Sequence, residues 1–267
     1  MQTSMRMRSV VVLTVLSLGS IVAAQQVNVS ITNLAPANGT FLTPVWVGFH
    51  DGTFDLYDRG AAASIPVERL AEDGDTGALR TAFSASAGGL AQETIAGPGG
   101  PLAPGDTASI VLDLNGPAGA GRYFSYMSMV IPSNDAFIAN GNPLAHPIID
   151  DNGVFQGADF IVLGNQVLDA GTEVNDEVPA NTAFFGQSSG NTGVTQNGVV
   201  ELHTGFLPVS SGGILADSRF AAGDFLAPGY QIARISVTQV PEPATITTLF
   251  LGCMMLCVAR RRQCMRI

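Results

Sequence analysis

Residues 123–131 read Tyr123-Phe124-Ser125-Tyr126-Met127-Ser128-Met129-Val130-Ile131, and residues 132–138 continue Pro132-Ser133-Asn134-Asp135-Ala136-Phe137-Ile138. The first nine residues are aromatic, β-branched, small or Met, carry no charge, and form the most strand-like run in the chain. The run ends in a polar loop, where Pro132 lacks the N–H that a ladder needs. Working outward, Val27–Asn33 alternates apolar and polar residues with a period of two, the mark of a half-buried strand. Val45–Phe49, Ser109–Leu114, Phe160–Leu163, Gly198–Leu202 and Ile232–Thr238 read as further short strands. Asn38-Gly39 is a turn signal, and Asn152-Gly153 has the form of a hairpin turn. Pro66–Asp73 is predicted as a helix, with Pro66 in its first turn and Gly74 to stop it. Ala78–Phe83 adds a further helical turn, and the Gly-, Ala- and Pro-rich stretch 85–106 reads as a long surface loop. Short strands at fairly even spacing with one short early helix predict an all-β fold, an antiparallel two-sheet β-sandwich. The 267 residues would allow two domains, but one sandwich can reach this size. With 31 Gly, 15 Pro and only 13% charged residues, the composition favours strands and loops over long amphipathic helices.

Both ends carry export signals. Arg6 and Arg8 precede the uncharged apolar run Val10–Val22, and the small side chains of Val22 and Ala24 suit a signal peptidase. Residues 1–24 are therefore predicted to be a signal peptide cleaved after Ala24, since the run is short for a membrane span of about 20 residues. At the other end, Pro241-Glu242-Pro243 breaks any strand. The apolar stretch Ala244–Ala259 and the cluster Arg260, Arg261 and Arg262 follow. Such a stretch would cross the membrane as a short helix with its arginines on the cytoplasmic side. In the order motif, span and basic cluster, residues 240–267 resemble the bacterial PEP-CTERM sorting signal. That resemblance implies recognition by an exosortase, a membrane cysteine protease-transpeptidase that cuts near the motif. A permanent single-pass anchor is the alternative. The localisation predicted is export through an inner-membrane-anchored intermediate to the cell surface or beyond.

Charge follows the same division. The chain has no lysine. Six of its 12 arginines lie in the two ends, whereas all but one of its 22 acidic residues lie between them. So acidic a domain, residues 25–239, repels nucleic acid and anionic lipid, and nucleic acid is excluded as a partner. Divalent cations and neutral glycans suit it better. Cys253, Cys257 and Cys264 all lie in the tail, so the domain has no disulfide.

Two segments carry candidate chemistry. One is the loop at Ser133-Asn134-Asp135, and the other is Leu168-Asp169-Ala170-Gly171-Thr172-Glu173, followed by Asn175, Asp176 and Glu177. Calcium takes six to eight hard oxygens, usually from loops able to bend around it. Asp135, Asp169 and Glu173 are suited to supply three of them if the two loops meet. The competing expectation is a turn cap at Asp135 and a solvated acidic run at 169–177. Asp150 and Asp151 are explained by their hairpin turn. His50, His146 and His203 lack zinc spacing, and no Gly-x-Ser-x-Gly elbow is present.

Val-Ile-Pro-Ser-Asn-Asp (130–135) followed by Asp-Ala-Gly-Thr-Glu (169–173) resembles the spondin N-terminal domain, which carries Pro-Ser-Pro-Asp and Asp-Ala-Gly-Thr-Asp loops about this far apart. Leu70-Ala71-Glu72-Asp73-Gly74, with Ala78-Leu79 and Phe83-Ser84-Ala85, is similar to that family's early helical element. The resemblance spans residues 27–239 and implies a C2-like sandwich that binds calcium through Asp135, Asp169 and Glu173. Departures are Asn134 for the family's second Pro, Ala136 where an aromatic often stands, and Glu173 for Asp. The extra methylene of Glu173 would change its angle to the ion or insert a water. The expected function is a non-enzymatic adhesion or binding module that contacts extracellular polysaccharide or matrix protein. The alternatives are a hydrolase of envelope polymers using paired carboxylates and a purely structural matrix component.

Overall fold

The computed structural model describes residues 26–117 and 119–241. The signal peptide with its cleavage at Ala24 lies outside the described residues. So do Glu242, Pro243, the apolar stretch Ala244–Ala259, the three cysteines and Arg260, Arg261 and Arg262. Pro241 is the last residue described, and it is exposed.

In chain order the first half contains β1 (Gln26–Asn33), β2 (Phe41–Leu42), β3 (Val45–His50), α1 (Ile65–Asp73), α2 (Gly77–Ala85), β4 (Gly89–Ile95) and β5 (Thr107–Asp113). The second half contains β6 (Tyr123–Ile131), β7 (Ala136–Ala139), β8 (Ala158–Leu163), β9 (Leu168–Asp169), β10 (Glu201–Leu202) and β11 (Gln231–Gln239). The strands form two antiparallel sheets. The smaller has the order β5-β1-β11-β8, and the larger β10-β9-β7-β6-β3-β4, with β2 paired to β6.

The sheets differ in how many faces they bury. In β1, Val27, Val29 and Ile31 point inward while Asn28, Ser30 and Thr32 stay half-exposed. Across the ladder, Ile31 meets Ile235 and Val29 meets Val237 and Ile110, so one apolar face is continuous over three strands. That face packs against Val45, Val47, Phe49, Phe124 and Val130 of the larger sheet to form the sandwich core. The larger sheet is covered on its outer face as well. Trp46, Met127 and Phe137 pack there against Val67, Leu70 and Ala71 of α1 and Leu79 and Phe83 of α2. This second core explains why β3 is buried at all six positions and β6 at eight of nine, without alternation. Gly48 makes room for it, because a Cβ there would lie 2.6 Å from the Trp46 ring. The buried Trp46 indole N–H donates to Gln92 Oε1 at 2.7 Å.

Several boundaries differ from expectation. The single early helix is a pair of nine-residue helices, because Val67, Leu70, Leu79 and Phe83 have a sheet face to cover. Gly74 ends the first in the left-handed conformation, its N–H bonded back to Arg69 and Leu70 carbonyls. The surface loop expected at 85–106 contains β4, which β3 recruits as an edge partner in spite of its Gly, Ala and Gln content. The strand expected at 198–202 shrinks to β10. After Asp135 the chain turns straight back into β7, which pairs with β6 in register Met129 to Phe137. At Asn152-Gly153 the expected reversal is present, closed by Asp150 and Val154 backbone bonds. Among the described residues no helix is long and apolar enough to cross a membrane.

Candidate functional site

Register brings the two predicted loops together. β7 and β9 pair with Ala136 opposite Asp169, so Asp135 and Ala170 stand at the next positions, where the Ala170 N–H donates to the Asp135 carbonyl at 3.3 Å. Segment 171–174 is held in turn by segment 194–198, through Val174 N–H to Val194 O at 2.7 Å and Gln196 N–H to Thr172 O at 2.8 Å. The end of α1 closes the cluster, since Asp73 Oδ1 accepts from the Asn191 N–H at 2.9 Å.

None of these acids behaves as a solvated run. Asp135 is 0% exposed, Glu173 3% and Asp169 6%. The loop before Asp135 is also buried, contrary to a surface reading, and its polar groups are internally paired. Ser133 Oγ donates to Val130 O and accepts from Ala136 N–H. Asn134 receives the Glu177 N–H and donates to Asp176.

The carboxylates differ in how well they are satisfied. Asp135 Oδ2 accepts from Thr172 N–H at 2.8 Å, Glu173 N–H at 3.0 Å and the Thr172 hydroxyl at 3.2 Å, but Oδ1 is buried with no partner. Glu173 Oε1 accepts from Gly193 N–H at 3.0 Å, and its Oε2 is likewise buried without a partner. Asp169 is bonded at both oxygens, to Gly171 N–H at 2.7 Å and Asn175 Nδ2 at 2.6 Å. Behind Asn175 stands His203. Its Nδ1 accepts from Gly205 N–H, which assigns the proton to Nε2 and makes it the donor to Asn175 Oδ1 at 3.3 Å. Burial holds the His203 pKa below the ordinary histidine value.

Burial, then the charge of Asp169, pushes Asp135 up to about 7, against the pull of its three hydrogen bonds. Burial, then the charge of Glu72, pushes Glu173 up to about 8. Glu72 itself is raised, chiefly by burial, and is the residue the sequence reading missed as part of this cluster. Its Oε2 is a third buried carboxylate oxygen without a partner. The one available signal was its spacing from Glu68, four residues apart on a single helix face.

The structure thus brings Asp135, Asp169 and Glu173 into one neighbourhood. Among the described residues, however, no three or more His, Cys, Asp or Glu side chains converge closely enough to hold a metal ion as they stand. The donor set suits a hard cation in part. Asp135 Oδ1 and Glu173 Oε2 are buried without a hydrogen-bond partner, while both oxygens of Asp169 are already bonded.

The remaining candidates are structural. Asp150 accepts two backbone N–H groups within its hairpin, and Asp151 pairs with Arg122. His50 contacts Ser125 Oγ at 2.9 Å, but His50 Nδ1 accepts from Gly52 N–H, so Nε2 donates to the serine and is no base for it. His146 stacks on Phe160.

Fold and site together define a class: a two-sheet antiparallel β-sandwich with a helical cover and a buried acidic cluster at one end of the larger sheet. No protein-family model matches the chain, and no curated protein is significantly similar to it.

Proposed function

We propose that this chain is an exported, non-catalytic binding module of the cell surface or extracellular matrix, whose acidic loop cluster takes up calcium. The reading rests on one observation above all. Asp135 Oδ1 and Glu173 Oε2 are buried carboxylate oxygens with no hydrogen-bond donor. An ionised carboxylate left so costs several kcal/mol, which a proton or a bound cation offsets. Calcium tolerates irregular geometry and carbonyl ligands, so loops such as 132–135 and 170–175 suit it. Asp135 and Glu173 would hold it, and Asp169 retains lone pairs to join them. The bound ion would supply positive charge that lets neighbouring carboxylates ionise together.

The likeness of the two loops to the spondin N-terminal domain supports a C2-like topology and an adhesive role toward matrix protein or polysaccharide. The likeness of residues 240–267 to the PEP-CTERM signal supports processing by an exosortase-type enzyme through Pro241, Glu242, Pro243 and the arginine cluster. The test is thermal melting of the full chain in detergent, with calcium and with chelator. Calcium is expected to raise the midpoint, and Asp135→Ala or Asp169→Ala to abolish the rise. An unchanged midpoint in the parent chain would reduce the cluster to protonated, purely structural carboxyls.

A second reading, a hydrolase of envelope polymers, draws on Glu173 being raised by the neighbouring Glu72 in the lining of one cavity. Release of reducing ends from a polysaccharide, lost in Glu173→Gln, would replace the binding reading.

A further inference from the structure

Beside the acidic cluster lies a cavity of about 180 Å3, bounded on one side by α1 and on the other by segments 171–173 and 191–198. Glu68 and Glu72 line it from the helix, and Glu173, Asn191, Thr195 and Asn197 line it from the loops. Ala62 and Ala63 form a small apolar wall. The walls are tied in place by the bonds between 171–174 and 194–198 and by the Asp73 bond to Asn191. A ligand would therefore meet a preformed shape.

Three features restrict what would fit. First, Glu72 and Glu173 are 4% and 3% exposed, and each keeps one buried oxygen without a partner. No arginine lines the cavity; the adjacent Arg69 is engaged by Glu68 and Asp73 on its own helix. The cavity thus has buried carboxyl groups with no cation of its own to pair with them. Second, its volume is about six times the roughly 30 Å3 share of one water, far more than a bare metal ion fills. Third, two side-chain amides and the Thr195 hydroxyl surround the acids, beside a Thr172 hydroxyl already bonded to Asp135, and such groups pair with hydroxyls rather than with hydrocarbon.

We propose that this cavity binds a single amino sugar unit of a glycan, with its ammonium against Glu72 and Glu173 and its ring hydroxyls against Asn191, Thr195 and Asn197. Ala62 and Ala63 would face the C–H side of the ring. The proposal goes beyond the calcium reading by naming an organic ligand. It shares only Glu173 with that reading and depends on Glu72, which calcium does not use.

The test is titration of glucosamine, N-acetylglucosamine, glucose and Nα-acetyl-lysine into the full chain, with chelator present throughout, followed by calorimetry. Glucosamine is expected to bind saturably. N-acetylglucosamine and glucose, which lack the ammonium, should be weaker by roughly tenfold or more, since a buried carboxylate would lose its counter-charge. Glu72→Gln should cost about tenfold in glucosamine affinity, and Thr195→Val, which removes only a hydroxyl donor and acceptor, a few-fold. Two variants guard against misfolding of one, and the calcium-induced melting shift should persist in Thr195→Val, which touches none of the acidic side chains. Absence of saturable glucosamine binding, equal binding of its N-acetyl form, or full affinity in both variants would overturn the proposal. Equal or tighter binding of Nα-acetyl-lysine would also overturn it and make the cavity a peptide site. Glucosamine binding without any calcium shift would remove only the calcium reading; the reverse result would remove only this one.

Discussion

Asp135 and Asp150 both sit where the chain reverses between extended stretches, and both accept hydrogen bonds from backbone N–H groups two or more residues further on. Their ionisation is nevertheless driven in opposite directions. Asp150 lies at the surface. The N–H groups of Val154 and Asn152 and the side chain of Gln156 hold its carboxyl below the usual range. Asp135 has as many donors but is fully buried beside Asp169, and it is pushed up to about 7. Equal hydrogen bonding does not mean equal charge. The difference comes from desolvation and from a like-charged neighbour, and those are tertiary properties.

The largest break in this comparison should come from Asp135→Ala. It leaves the N–H groups of half-buried Thr172 and buried Glu173 unpaired, each costing roughly 1–3 kcal/mol, so a loss of about 2–6 kcal/mol is expected in urea titration. Asp135→Asn keeps an acceptor and should cost far less while still abolishing the calcium shift. Asp150→Ala should change stability much less than either, and a drop as large as that of Asp135→Ala would refute the contrast.

Acidity offers a second test. A carboxyl raised in the folded state binds more protons there than in the unfolded chain, so its stabilisation is full below the unfolded pKa and is lost as pH rises through the folded one. For Asp135 and Glu173 that window runs from about 4 to about 8. In chelator the full chain should lose on the order of 2 kcal/mol across it, about half of what one full shift of Asp135 implies. Calcium should flatten the slope. Asp150 acts with the opposite sign, its contribution being present above the unfolded value and lost as pH falls through the depressed one. Stability that rises from pH 5 to pH 8 in chelator would contradict the assignment.

Glycines provide a smaller contrast. A Cβ at Gly193 would lie 2.0 Å from the Glu173 carboxyl carbon, whereas Gly153 in the Asp150 hairpin has open space around it. Gly193→Ala should therefore displace the carboxylate, costing about 1–3 kcal/mol and weakening both calcium and glucosamine binding. Gly153→Ala meets only the penalty of its φ of +78°, about 1 kcal/mol, and should leave both ligands unaffected.

The strands with a self-contained signal were legible from residues alone. Val27–Asn33 alternates because only one side of β1 is buried, and residues 123–131 are continuous because both sides of β6 are. β4 was not legible. Leu90, Ala91 and Gln92 have little strand preference of their own, and the pairing with β3 supplies what propensity lacks. The second helix was only half visible, since Leu79 and Phe83 become a meaningful pair once a sheet lies beneath them. At the site, the spacing and chemistry of Asp135, Asp169 and Glu173 marked them as candidates. Nothing in the order of residues indicated that Asp169 would be bonded at both oxygens, or that Glu72 would stand beside Glu173.

Local information therefore determined where strands run, which faces are apolar and which acids sit in turns, because period, propensity and turn chemistry act over a few residues. Only the tertiary structure decided which carboxylates share a cavity and what their ionisation costs. Those quantities depend on pairing across more than thirty residues of chain, from Asp135 to Glu173, and on the water that folding removes between them.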